Sequence, residues 1–210
     1  MTSQKKASSA KRDLRNELGA LYQVSSGKVM EVTVPAARFL MADGEGNPNT
    51  VLQYARAVEA LFTLAYALKF SIKKSQGIDY AVMPLEGLWW SDDMSTFTPE
   101  NKNDWKWTML IRQPEFVDDS VYEAVRAEIR KKKPTVAIDV VRFDRFEEGA
   151  CVQTLHMGPF SEEGPTVEKL HEHIRANGKQ LRGSHHEIYL SDIRKAAPEK
   201  WRTIVRQPFT

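Results

Sequence analysis

Cysteine is almost missing from this 210-residue sequence, which has Cys151 alone. A disulfide framework within the chain and a thiolate zinc site are excluded with it, which fits a reducing compartment such as the cytoplasm. An excess of one charge is missing too. Thirty Lys and Arg face twenty-eight Asp and Glu, a formal net charge of +2. That is too little for the concentrated basic face that nucleic acid demands. There is no uninterrupted apolar run. The longest, Val51 to Ile72, contains Arg56, Glu59 and Lys69, whereas a membrane span needs roughly 20 residues nearly free of charge. The start of the chain also lacks the apolar segment of about 7–15 residues that marks a secretory signal. What is there, 41% hydrophobic and 28% charged residues, is the composition of an ordinary folded chain.

Lys5, Lys6, Lys11, Arg12 and Arg15 make residues 1–28 a basic N-terminal tail. It reads either as solvated and poorly ordered or as a contact for a phosphate-rich partner. Ala37 to Ala42 reads as a strand, and Asp43-Gly44-Glu45-Gly46-Asn47-Pro48 as a strand-to-helix turn. The third glycine of the dinucleotide fingerprint is absent there. Val51, Tyr54, Ala55, Val58, Leu61, Phe62, Ala65, Leu68 and Ile72 recur in steps of three and four, one face of a long helix that Asn49 or Thr50 can cap. Tyr80 to Leu88 and Asp104 to Gln113 read as strands. In the second, Trp105, Trp107, Met109 and Ile111 share a face. A linker helix at about 118–133 starts at Asp118 and stops at Pro134; its Arg130-Lys131-Lys132-Lys133 run complements the helix dipole. Val152 to Met157, a helix from Thr166 to Ala176, His186 to Ser191 and Thr203 to Gln207 complete the pattern.

An internal repeat is visible. Trp107-Thr-Met-Leu-Ile-Arg-Gln-Pro114 resembles Trp201-Arg-Thr-Ile-Val-Arg-Gln-Pro208, with residues 107 and 201 lying 94 positions apart. Strand, break, helix, strand, strand occurs twice, at about 29–114 and about 141–208. The expectation is one α+β domain from 29 to 210, in which duplicated strand-helix-strand-strand units form one antiparallel sheet with two main helices on one face. A groove between the halves is the natural ligand site.

Strand alternation places Glu187, Tyr189 and Ser191 together, with Ile188 and Leu190 opposite. Glutamate is depleted in strands, so Glu187 is either a solvent-facing edge residue or a partly buried anion that attracts a cation or accepts a proton. Trp89, Trp90, Trp105, Trp107, Tyr54 and Tyr122 are either ordinary core or the lining of a cavity, together with Met109. Flat rings hold planar or cationic molecules at roughly 0.5–2 kcal/mol per contact. Glu86 is a second carboxylate candidate, and His156 is either a pocket residue or a satisfied core histidine. His171 and His173 point to different faces of a helix, and His185 and His186 alternate across a strand. With no carboxylate or thiolate at metal spacing, no metal site is expected. A serine triad has no Gly-x-Ser-x-Gly turn to sit on.

His156-Met157-Gly158-Pro159-Phe160, Glu187-Ile188-Tyr189-Leu190-Ser191-Asp192 and Pro198-Glu199-Lys200-Trp201-Arg202-Thr203 resemble the GyrI-like small-molecule-binding domain, shared with effector-binding domains of multidrug-responsive regulators. The likeness covers Val29 to Pro208. The strings Asp43 to Asn49 and Tyr80 to Asp93 are similar to a stand-alone subfamily, some of whose members hydrolyse the strained cyclopropane of DNA-alkylating natural products with an aromatic cage. The resemblance implies that Glu187 sits in a central cavity. For ring opening of such a cyclopropane, Glu187 is the candidate general base through one water, with Tyr189 or His156 as donor to the developing phenolate. Met1 to Lys28 is too short for a helix-turn-helix domain, so a DNA-binding regulator is not expected. The expected partner is a small molecule, with no nucleic acid, membrane or cofactor, on a monomer or homodimer.

Overall fold

The computed structural model describes residues 11–210. Lys5 and Lys6 of the basic tail lie outside them. Residues 11–28, expected as the rest of that tail, are built into the fold. A short helix α1 (Leu14–Glu17), capped by Asp13 accepting from Arg15 N at 3.1 Å, leads to a turn that buries Tyr22 and Val24. Three apolar side chains in this stretch, Leu14, Tyr22 and Val24, join the core, which offsets the entropy of ordering it.

Eight strands make one antiparallel sheet: β1 (Met30–Val34), β2 (Ala37–Glu45), β3 (Glu86–Trp90), β4 (Lys106–Arg112), β5 (Arg142–Phe146), β6 (Gly149–Met157), β7 (His185–Tyr189) and β8 (Arg202–Pro208). Their order is β1-β6-β8-β7-β3-β4-β2-β5. Helix α2 (Leu52–Gln76) packs on β2 and β4, and α4 (Gly164–Ala176) packs on β6 and β8, one for each half. Helix α3 (Asp119–Lys132) lies against α2. The α2 face that meets the sheet is small and aliphatic: Ala57, Ala60, Leu61, Leu64, Ala65, Leu68 and Ile72 are all buried. None of the described helices is long and apolar enough to cross a membrane.

The duplication is real, but its register is not the one the Arg-Gln-Pro strings suggest. The bounds of β4 and β8 lie 96 positions apart, not 94. Trp201 therefore corresponds to Trp105. The two play one role: each precedes its strand and donates its indole N–H to a loop carbonyl, Trp105 to Thr98 at 3.1 Å and Trp201 to Ala196 at 2.9 Å. A slip of two residues keeps every side chain on its face, so the string match still put the strands in the correct phase. Strands β1 and β5, with alternating half-exposed patterns, escape the sequence reading. Each crosses over: β1 pairs with β6 of the second half, and β5 pairs with β2 of the first.

Local differences have physical causes. The third strand starts at Glu86 rather than Tyr80, because Pro84 lacks an N–H for the ladder; Tyr80 makes a lone bridge to Arg12. Strand β2 runs on to Glu45, and Gly44 stays a glycine because a Cβ there would come 2.2 Å from the Trp107 ring. Neither Asn49 nor Thr50 caps α2. Val51 holds the cap position without a side-chain bond, and Asn47 turns the chain instead by accepting from the amides of residues 49, 50 and 51. Asp118 does cap α3, accepting from Val121 N at 2.8 Å.

On the sheet face away from the helices lies a buried ionic network. His186 bridges Glu86 and Glu148, with nitrogen-to-oxygen distances of 3.0 Å to each, and Arg206 reaches Glu148 at 3.2 Å. The N-terminal segment closes over it: Tyr22 donates to Glu86 at 2.7 Å, Arg206 donates to the Leu21 carbonyl at 2.8 Å, and Gln153 to the Ala20 carbonyl at 2.6 Å. Burial alone would raise the Glu148 carboxyl, but His186 and Arg206 overcome it and hold it down at about 2. Its contribution to stability is therefore complete above the ordinary value of 4.5 and is lost as pH falls towards 2. Denaturant midpoints are expected to drop through that window. Glu148→Gln should cost about 3–5 kcal/mol at neutral pH and flatten the acid slope; urea titrations of both proteins at a series of pH values check this, and an unchanged slope would count against it.

Candidate functional site in the groove between the helices

Strand β7 sits at the centre of the sheet, paired with β3 on one side and β8 on the other. Its odd-numbered residues, His185, Glu187 and Tyr189, face the helix side; His186 and Ile188 face the buried network. Glu187 pairs with Gly87 across the β3–β7 junction. Gly87 pairs with Met109 and Glu187 with Val205, and residues 109 and 205 are equivalent at the 96-position offset. Gly87 and Glu187 therefore occupy matching places on the pseudo-two-fold axis. One half supplies an acid there, the other only space. A Cβ on Gly87 would lie 2.5 Å from Trp89 Nε1 and 3.0 Å from the Tyr189 hydroxyl.

Around Glu187 the rings touch one another. Trp89 donates its indole N–H to the Tyr189 hydroxyl at 3.1 Å. Tyr54, from the first turn of α2, lies 6.0 Å from Trp89 and 5.3 Å from Trp107 between ring centres. Trp105 stands edge-on to Trp89 at 5.8 Å and tilts over Phe97 at 4.5 Å. On the other side Phe160, 37% exposed, lies 5.6 Å from Tyr189 and 5.1 Å from Trp201. The rings on either side of Glu187 thus pack on one another. The Glu187 side chain remains 14% exposed.

Two further titratable groups meet Glu187. His185 Nε2 is 3.1 Å from its Oε1 and 3.9 Å from Glu163 Oε2. Glu163 holds the N-cap position of α4, and its Oε1 is buried with no hydrogen-bond partner. Burial disfavours a charged His185, but Glu163 and Glu187 together hold the ring protonated, up to about 10. Burial and the Glu187 charge push the Glu163 carboxyl up to about 7, although a helix start favours an anion. Burial also opposes charge on Glu187, but the His185 bond and charge prevail and hold it below the ordinary range. Desolvation, then Glu187, keeps the Tyr189 phenol protonated. The spacing argument against a metal fails in space: Glu163, His185 and Glu187 each offer one ligand atom, all within 4.8 Å of one another. The trio can bind a cation, or balance itself through a protonated His185.

Of the candidates from sequence, the fold brings together Glu187, Tyr189, Trp89, Trp107 and Tyr54. Met109 shares the helix face but is sealed beneath α2. Trp90 and Glu86 lie on the opposite face, Trp90 at the margin of the apolar cluster that includes Leu88 and Leu110, Glu86 in the ionic network. The reason is strand parity: residues 86, 88 and 90 of β3 alternate with 87 and 89. Tyr122 is remote, with its hydroxyl donating to the Val141 carbonyl at 2.8 Å. It borders a cavity of about 420 Å³ with Asp43, Arg126, Asp139 and Arg142. That cavity lies away from Glu187, and its charges are already paired, Arg126 and Arg130 with Asp139 and Arg142 with Asp43. His156 is satisfied by Thr166 Oγ1 at 3.0 Å and the Pro159 carbonyl at 3.2 Å, so it serves packing under α4. Sequence reasoning missed His185, Phe97, Phe160 and Glu163. His185 was within reach, since it stands two residues before Glu187 and shares its face.

The chain belongs to the GyrI-like small molecule binding domain family, whose description matches residues 27–209. Among solved structures it is similar to an uncharacterized conserved protein from Listeria innocua, at 42% identity and TM-score 0.88, covering 95% of this chain and 100% of that one. A hydrolase from Listeria innocua is 40% identical, at TM-score 0.83 with the same coverage. The EcmrR C-terminal domain, 12% identical over 87% of this chain and 97% of its own, shares the fold at TM-score 0.56. No curated protein matches.

The close fit at Gly87 is directly testable. Gly87→Ala is expected to break the Trp89–Tyr189 bond and cost about 1–3 kcal/mol through overpacking. Thermal unfolding and near-ultraviolet circular dichroism of the tryptophans measure both effects; a variant indistinguishable from the parent would show that the contact is not tight.

Proposed function

We propose that the protein takes up hydrophobic, planar or cationic small molecules, xenobiotics among them, in the groove between α2 and α4, with the rings parting to stack on the ligand over Glu187. One observation carries this reading: a mostly buried carboxylate at the pseudo-two-fold axis is surrounded by Tyr54, Trp89, Trp105 and Tyr189. Rings of this kind favour flat and cationic partners, and an ionised acid adds charge complementarity. Tryptophan emission is the reporter, since Trp89, Trp105 and Trp107 all border the groove. A planar aromatic cation such as ethidium is expected to quench it saturably. Glu187→Gln should weaken that binding roughly tenfold or more, about 1.4 kcal/mol. Non-saturable quenching, equal in both proteins, would overturn the proposal.

Hydrolysis is a second reading, favoured by the His185–Glu187 contact and by the 40% identical relative described as a hydrolase. The subfamily resemblance suggests a cyclopropane fused to a conjugated dienone, and detoxification in the cytoplasm as the purpose. Glu187 would take a proton from water as its oxygen bonds to the strained carbon. The ring C–C bond opens, its electron pair passes through the dienone to the oxygen, and the protonated Tyr189 donates to the phenolate that forms. The product gains one water, and mass spectrometry over many turnovers detects it. Glu187→Gln should slow turnover by about 10²–10⁴-fold; an unchanged rate would remove Glu187 from the chemistry. Binding without turnover leaves a protein that sequesters its ligand.

A further inference from the structure

The outward face of α2 is apolar where the outer side of a surface helix is normally polar. Between Glu59 and Lys69 the helix carries no charge on any side. Leu61, Leu64, Ala65 and Leu68 of that stretch are buried in the core. Tyr66, however, is 49% exposed, and Phe70, one turn on, is 60% exposed. Phe62, half-buried one turn before, has its ring centre 6.4 Å from that of Tyr66. At 3.6 residues per turn the three rings fall within an arc of about 80°, on the side away from the buried row. Arg194, from the loop before β8, comes near Tyr66 but is paired with Asp192. An exposed aromatic stripe of this kind marks a contact surface.

The charges at its two ends are placed symmetrically about Tyr66. Glu59 stands seven residues before it and Lys73 seven residues after, so both share the side of the rings. Glu59 has no ion pair or hydrogen bond among the described residues. Lys73 is 53% exposed at its side chain and reaches Asp79 at 2.7 Å, an acid that Lys69 also holds at 3.2 Å. A second copy of α2, laid antiparallel with a two-fold axis through Tyr66, sets each position against the one equally far on the other side. Tyr66 then meets Tyr66, Phe62 meets Phe70 and Glu59 meets Lys73. Lys69 falls opposite Thr63 and Lys74 opposite Val58, so no like charges face each other.

We propose that the protein pairs with a second copy of itself through this face, α2 against α2 in antiparallel order. The ends of the stripe favour this occupant over an anionic lipid surface, which would be met by cations at both ends rather than by Glu59 at one. One helix pair is a small interface beside the roughly 1,200–2,000 Å² of stable complexes, so the expected dissociation constant is about 10–100 μM. The face is separate from the groove, and the pairing stands whether or not the groove binds a ligand.

Sedimentation velocity of the full chain from about 1 to 500 μM tests the pairing, since mass action makes it depend on concentration. The average mass is expected to rise from one chain towards two. Tyr66→Asp should abolish the rise while leaving thermal unfolding of the dilute protein unchanged. Glu59→Lys and Lys73→Glu should each weaken the dimer about 3–10-fold, and the two combined should restore it, because the charges only exchange places. A monomer at every concentration would overturn the proposal. A dimer indifferent to Tyr66→Asp would place the contact elsewhere and overturn it too, and failure of the combined variant to recover would refute the antiparallel order. Should Tyr66→Asp fail to fold, Phe70→Ser serves in its place. Binding of the monomer to vesicles of phosphatidylcholine and phosphatidylglycerol, lost in the same variants, would give the face to lipid instead.

Discussion

His186 ties the two halves of the molecule together. One ring nitrogen meets Glu86 of the first half and the other meets Glu148 of the second, with Arg206 on the same carboxylate. Buried ions are costly unless every partner is in place, so this set tolerates one register of β7 against β3. That register determines everything on the groove side. A one-residue slip of β7 would turn Glu187 into the ionic network and His186 into the groove. The groove's chemistry is thus fixed from the opposite side of the sheet, through the alternation of one five-residue strand.

The halves are alike in architecture and unlike at their axis. Trp105 and Trp201 are counterparts, each anchored by its indole to a loop carbonyl. Gly87 and Glu187 are counterparts too, but a second glutamate at position 87 would collide with Trp89 and Tyr189 and set like charges face to face. Duplication within one chain permits this inequality, whereas a symmetric dimer of two identical units would be held to the same residue twice. The groove owes its single central acid, and its lopsided partners Tyr54 and Glu163, to that freedom.

Much of this was legible beforehand where a period carries the information. The 3.6-residue rhythm of α2, the alternation of β4 and β7, and the Asp118 cap follow from local rules. The failures are of two kinds. Parity was neglected in β3, so Glu86 and Trp90 were grouped with Trp89 although adjacent residues must part. Long-range pairing was invisible: nothing local tells β1 to leave its own half for β6, or α4 to bring Glu163 beside His185. Residues 11–28 look like a tail by charge, yet Tyr22 and the carbonyls of Ala20 and Leu21 complete bonds that the sheet needs. Only the finished sheet shows the need.

The crossing of β1 and β5 has a mechanical outcome. Each outer strand is chemically part of one repeat and structurally part of the other, like clasped hands with a finger of each held in the opposite palm. Pulling the repeats apart strips each half of the sheet of its outer strand at once, exposing unpaired amides on β6 and β2. Either repeat made as a separate fragment would therefore be sticky and short-lived, and the pair should melt as one body even though its blueprint is written twice.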